Sequence, residues 1–180
     1  MVTARLRLIP ASVALCDAEA RGAAAVGQAL GATVPASWPP PVFEPEDVAR
    51  VRRQLEADPA PGPWTLHYVL RRVESEGDLP ALVGIAGYVA PPTTDGAVEI
   101  GYAIVTEFQR VGFATEAVRA LLTAAFADAR VRVVTATTYA HLHPSIRVLE
   151  KSGFIKRSHL PDTGLLRFEC ERSASASPAA

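Results

Sequence analysis

Apolar and polar residues alternate along Arg5-Leu6-Arg7-Leu8-Ile9, the period-two pattern of a half-buried strand, and Pro10 ends it. Ser12 is placed to cap a helix running to about Leu30, where Gly31 stops it. From Pro35 to Pro63 the chain is dense in proline, which interrupts regular ladders and reads as loop around one helix. That helix spans about Pro45 to Ala57. Pro45 suits its first turn, Glu46 and Asp47 meet the positive end of its dipole, and Val48, Val51 and Leu55 share one face.

Strands dominate from Trp64 onward. Trp64 to Arg72 and Ala81 to Ala90 flank the turn-rich Glu74-Ser75-Glu76-Gly77-Asp78, and Pro91 to Gly96 leads into a third strand, Ala97 to Val105. These three consecutive strands predict an antiparallel meander. The period then changes: Val118, Leu121, Leu122, Ala125 and Phe126 line one face of a helix from about Gly112 to Arg130. Arg132 to Ala140 is a β-branched strand, and Ser145 to Ser152 a short helix stopped by Gly153. Phe154 to Arg157 and Leu165 to Glu171 read as a closing strand pair. The order predicts an α+β domain over residues 3–172, with a disordered tail at 173–180.

Composition narrows the function classes. The 180-residue chain is 49% hydrophobic, enough for a real core, and its formal net charge of −1 lacks the basic surplus of a nucleic-acid binder. No apolar run approaches the roughly 18 residues of a membrane span. Asp17, Glu19 and Arg21 interrupt the alanine-rich run from Ala11 to Leu30, so it lacks the core of a secretory signal. Cys16 and Cys170 form neither a disulfide framework nor a metal-ligand spacing and read as buried apolar residues. The expectation is a cytoplasmic protein that binds no metal, nucleic acid or membrane. Sixteen arginines against two lysines point to a genome rich in G and C, as in many bacteria.

The most informative stretch is Glu99-Ile100-Gly101-Tyr102-Ala103-Ile104-Val105, followed by Gln109-Arg110-Val111-Gly112-Phe113-Ala114-Thr115-Glu116. A strand runs through a short loop into a helix N-terminus, where free N–H groups and the positive dipole end receive anions. Gly112 permits a tight turn and close backbone approach. The spacing is not that of a P-loop and lacks its Lys-Ser/Thr, so a diphosphate held without metal is implied; a simple turn is the bland reading.

Gln109-x-x-Gly112-x-Ala114 resembles the Gln/Arg-x-x-Gly-x-Gly/Ala signature of the GNAT superfamily of N-acetyltransferases. Three more segments resemble its RimJ/RimL-like branch, which acetylates ribosomal-protein N-termini: Thr3 to Leu8, Glu99 to Tyr102, and Ser145 to Phe154. The resemblance implies a mixed, mostly antiparallel twisted sheet of about seven strands flanked by about four helices, splayed between the fourth and fifth strands. It implies acetyl-CoA as co-substrate. Backbone amides around Gln109, Arg110, Val111, Gly112, Phe113 and Ala114 would hold the diphosphate, with the Thr115 hydroxyl added, and the backbone of Ile104 and Val105 would pair with pantetheine. Ser145 would lie beside the CoA sulfur and donate a proton to it. His143 stands where the family has Asn, and the late helix carries no tyrosine, leaving Ser145, Tyr139 or water as proton donor.

The remaining candidates carry two readings each. Glu99, between Val98 and Ile100, is a general base acting directly or through water, or else a half-exposed strand residue or a salt-bridge partner. Glu116 suits the helix dipole and reads as structural. Trp38 either walls an acceptor pocket or anchors a long loop. His67 and Tyr88, on the meander strands, are the other acceptor-side candidates, with core packing as the alternative. The expected activity is transfer of acetyl to a primary amine, of a protein N-terminus or a small molecule, in a ternary complex of a monomer or homodimer. A non-catalytic CoA-binding module is the rival, needing the loop but not Glu99.

Overall fold

The computed structural model describes residues 1–58, 63–73, 77–160 and 163–172. The expected tail beyond Arg172 and residues 74–76 of the first turn lie outside them. In chain order the elements are β1 (Leu6–Pro10), α1 (Val13–Ala20), α2 (Ala23–Leu30), α3 (Pro45–Ala57), β2 (Leu66–Arg71), β3 (Ala81–Tyr88) and β4 (Ala97–Ile104). A single 3₁₀ turn, Thr106–Phe108, leads to α4 (Phe113–Ala127), β5 (Val133–Tyr139), α5 (His143–Lys151), β6 (Ile155–Leu160) and β7 (Leu165–Glu171).

The helix expected from Ser12 to Leu30 is two helices. Ser12 does cap the first, accepting the Leu15 N–H at 3.2 Å, but Gly22 takes a φ of 102° and breaks the run. Only glycine adopts that conformation without strain, so the chain turns there despite the alanines on both sides. The described residues thus contain five α-helices where four were expected. The Pro45–Ala57 helix begins with a reciprocal cap in which the Asp47 carboxylate accepts the Glu44 N–H at 3.2 Å.

Seven strands form one sheet in the order β1-β2-β3-β4-β5-β7-β6, antiparallel except where β4 meets β5. Period-two alternation divides its side chains between two cores. On one face Val98, Ile100, Val134, Ala136 and Phe168 pack with Val118, Leu121 and Leu122 of α4 and Leu149 of α5. On the other, Tyr68, Leu70, Leu82 and Ile85 pack with Leu15, Val26, Val51 and Leu55 of α1–α3. Beyond β4 this second face is more open, and Thr137, Tyr139 and Arg167 show to solvent.

Candidate active site

The junction between β4 and α4 is built to leave donors free. Gly112 (φ 91°, ψ 3°) and Arg110 (φ 65°) both take the left-handed conformation, and the first bond of the helix is Glu116 N–H to Gly112 C=O at 3.0 Å. None of the backbone N–H groups from Arg110 to Thr115 meets an acceptor among the described residues. Successive unpaired amides at a positive helix end make an anion-binding concavity. Gln109 turns back: its Nε2 donates to the Ile104 carbonyl at 2.8 Å and ties the loop to the strand.

The N-terminal segment braces this loop. Arg5 donates to the Val111 carbonyl at 3.0 Å and to Glu116 Oε2 at 2.7 Å, and its guanidinium lies 4.8 Å from the centroid of the Phe113 ring. The Arg5 N–H (2.9 Å) and the Thr3 hydroxyl (2.6 Å) both donate to Glu116 Oε1. Desolvation pulls the Glu116 pKa upward, but the bonds from Thr3 and Arg5 outweigh it and leave the carboxyl below its ordinary value. Glu116 is therefore a structural hub on the first turn. A groove of about 920 Å³ opens from Gly112 and Thr115 along α4, with Arg5, Arg119 and Lys151 on its walls.

β4 and β5 separate beside this loop. Their parallel ladder holds three pairs, Ala97 with Val133, Val98 with Val134 and Glu99 with Thr135; from Ile100 on, β4 pairs only with β3. The Glu99 carbonyl accepts from Val89 and the Val105 N–H donates to Val83, so odd-numbered residues of β4 turn their peptide groups toward β3. Those of Ile100, Tyr102 and Ile104 face the opening. This corrects the expectation for Val105, whose N–H is committed to Val83 at 3.0 Å, and for the Ile104 carbonyl, taken by Gln109. The Ile100 and Tyr102 peptides were missed because register, invisible in the sequence, decides which edge a peptide faces.

Glu99 stands at the last rung before the strands part. It is partly exposed, not buried, and its Oε1 accepts the Thr137 hydroxyl at 2.9 Å on the face opposite α4. Across the opening, Ser145 lies in the first turn of α5, with Oγ 3.0 Å from the Tyr102 hydroxyl. His143, the first residue of α5, is exposed. Tyr139 stacks on His141, with ring centroids 5.5 Å apart.

Residues 5–155 fit the acetyltransferase (GNAT) domain model. The chain belongs to the GNAT acetyltransferase family. No curated protein matches its sequence. Among solved structures it is similar to RimL, the ribosomal L7/L12 α-N-protein acetyltransferase in complex with coenzyme A, at TM-score 0.66 and 15% identity over 95% of this chain and 96% of that one. It is similar to a GNAT-family acetyltransferase from Bacillus anthracis, at TM-score 0.61 and 20% identity over 95% and 97%. The microcin C7 self-immunity acetyltransferase MccE, in complex with acetyl-CoA and AMP, is similar at TM-score 0.61 and 13% identity over 94% of both chains.

In this GNAT domain the remaining candidates fall on different sides of the sheet. His67 is 3% exposed and Tyr88 4%, and both lie on the α4 face, opposite Glu99. Tyr88 donates to the Leu121 carbonyl at 2.6 Å, and its ring packs edge-on against Trp64. Burial pushes the His67 imidazole down to about 4 and the Tyr88 phenol up. These are core residues and not walls of an acceptor site, a correction that a period-two pattern cannot supply, since it separates two faces without naming them. Trp38 is held by α1: its indole N–H donates to Glu19 at 2.6 Å and its ring stacks on Tyr68, with centroids 6.3 Å apart. The same loop reaches the 3₁₀ turn, where Ser37 donates to Glu107 at 3.0 Å. Cys16 is buried, which raises its thiol to about 11. Among the described residues no His, Cys, Asp and Glu side chains cluster as a metal site, and no helix is long and apolar enough to cross a membrane.

Proposed function

We propose that the protein transfers an acetyl group from acetyl-CoA to a primary amine, directly, within a ternary complex. The observation that carries this reading is the coincidence of two features: six unpaired amides from Arg110 to Thr115, and a β4–β5 opening that begins at Glu99. The amides suit a diphosphate, and the groove along α4 offers room and three cations for the rest of the nucleotide. The peptide groups of Ile100 and Tyr102 suit an extended, amide-bearing pantetheine arm, which would add to β4 as a strand does.

Acetyl-CoA laid in this way brings its thioester toward the start of the opening. A peptide N–H there polarises the carbonyl, an oxyanion-type stabilisation. Glu99, through water, removes the proton from the acceptor ammonium. The free amine attacks, the C–S bond breaks, and Ser145 protonates the sulfur. Glu99 faces the side where Thr137, Tyr139 and Arg167 are solvent-accessible, which supports entry of the acceptor from that face. RimJ/RimL-like motifs favour a protein N-terminus as acceptor, and a small-molecule amine is the second class. Trp38 anchors the loop whose Ser37 reaches the 3₁₀ turn after β4, and His143 stands two residues before Ser145 on α5.

The test is release of free CoA thiol from acetyl-CoA over peptides, amino acids, polyamines and aminoglycosides. Acceptor-dependent release is expected. Tight acetyl-CoA binding with no release for any acceptor would leave the CoA-binding module as the better reading.

A further inference from the structure

The late helix meets the strand edge at one point. Tyr102 belongs to the part of β4 that β5 has left, and its side chain spans the opening to α5. Its hydroxyl lies 3.0 Å from Ser145 Oγ and donates to the Ser145 carbonyl, also at 3.0 Å. A serine in the first turn of a helix ordinarily turns its hydroxyl onto nearby backbone. Ser145 makes no such bond among the described residues; its hydroxyl has Tyr102 as partner.

We propose that Tyr102 is a positioning residue for Ser145: its phenol holds Oγ in place and, by turning its single proton from the Ser145 carbonyl to Oγ, leaves the Ser145 proton free to face the departing CoA sulfur. The proposal rests on the acetyl-transfer reading above. The C–N bond forms as the C–S bond breaks, and the electron pair stays on sulfur. Sulfur takes the Ser145 proton, and water restores it to Oγ. The ammonium proton removed through the water at Glu99 passes to bulk water, and the second nitrogen proton, lost as the amide forms, balances the one gained by sulfur. Tyr102 itself neither gains nor loses a proton. Desolvation raises its pKa to about 12, although the bond to Ser145 pulls the other way, so it stays a phenol at working pH. A neutral hydroxyl held by two atoms of one residue orients that residue and does not titrate in its place.

A double-mutant cycle in the CoA-release assay tests this. Tyr102→Phe keeps the ring and removes the bridge. It should lower kcat about 3- to 10-fold, the worth of one hydrogen bond, with the KM and calorimetric Kd for acetyl-CoA within about twofold of wild type. Ser145→Ala should lower kcat by about 10²-fold or more. In the double variant Tyr102→Phe should cost nothing further, because its partner is gone. Independent, multiplicative losses would overturn the inference, as would a raised KM with kcat unchanged, which would make Tyr102 a wall of the pantetheine channel. Calorimetric binding of acetyl-CoA reports that each variant is folded. Wild-type turnover matched by Tyr102→Phe would overturn this inference alone; wild-type protein that neither binds nor cleaves acetyl-CoA would overturn the reading beneath it as well.

Discussion

The Thr137 hydroxyl donates to Glu99 Oε1 at 2.9 Å, joining β4 to β5 two residues beyond Thr135, the partner of Glu99 in their last paired rung. The bond fixes the carboxylate at the apex of the opening and leaves its second oxygen for a water or an acceptor. Glu99→Gln keeps the shape and removes the base, so turnover should fall roughly 10²–10⁴-fold near neutral pH. Acetyl-CoA affinity should barely change, and raising the pH should recover part of the rate by supplying free amine. Thr137→Val should give a smaller, several-fold loss through lost orientation. Full activity of Glu99→Gln across the pH range would make Glu99 a strand residue and no more.

Gly112→Glu places a side chain at a φ of 91° and a negative charge among the unpaired amides. Its Cβ would meet an Arg5 nitrogen at 3.3 Å, a flexible neighbour that can move aside. The fold should survive, while acetyl-CoA affinity falls by more than about tenfold, or 1.4 kcal/mol. Calorimetry decides; unaltered affinity would remove the diphosphate from this loop.

Arg5 and Glu116 hold the loop from outside. Arg5→Ala should lower stability by about 1 kcal/mol, since the pair is only partly buried, and weaken acetyl-CoA binding together with it. The pH dependence has a definite sign. Glu116 is below its ordinary value in the folded protein, so its contribution is present above about pH 4.3, the unfolded value, and is lost as pH falls through the folded one. Glu116→Gln should therefore be less stable than wild type at pH 7, with the gap closing in acid. A gap that stays constant on urea titration down to pH 3 would contradict this.

His67 acts in the opposite part of the scale. Burial lowers its pKa to about 4, so below about 6.5 the unfolded chain takes up a proton that the folded protein refuses. Stability should decline as pH falls from about 6.5 to 4, by on the order of 3 kcal/mol from this group. His67→Gln, whatever its effect on stability at pH 7, should flatten that slope. An unchanged slope in urea melts would mean that His67 does not titrate on unfolding.

Much of this protein is legible in its sequence because much of it is local. Strand and helix periods, the Ser12 cap, the Gly31 stop and the loop from Gln109 to Ala114 depend on residues within a turn or two of one another. Backbone conformation at Gly112 and donors at a helix start need no distant partner, so the six residues from Gln109 to Ala114 mark the loop with unpaired amides and point to the family that the domain match shows. Tertiary structure decided the rest. Which face of the sheet holds His67 and Tyr88, and which peptides of β4 meet the opening, follow from strand register, and a period of two is silent on both. The split at Gly22 comes from a conformation that glycine permits but does not require. Arg5 finds Glu116 111 positions away and Tyr102 finds Ser145 across 43, pairings that leave no periodic trace because folding alone brings those side chains together.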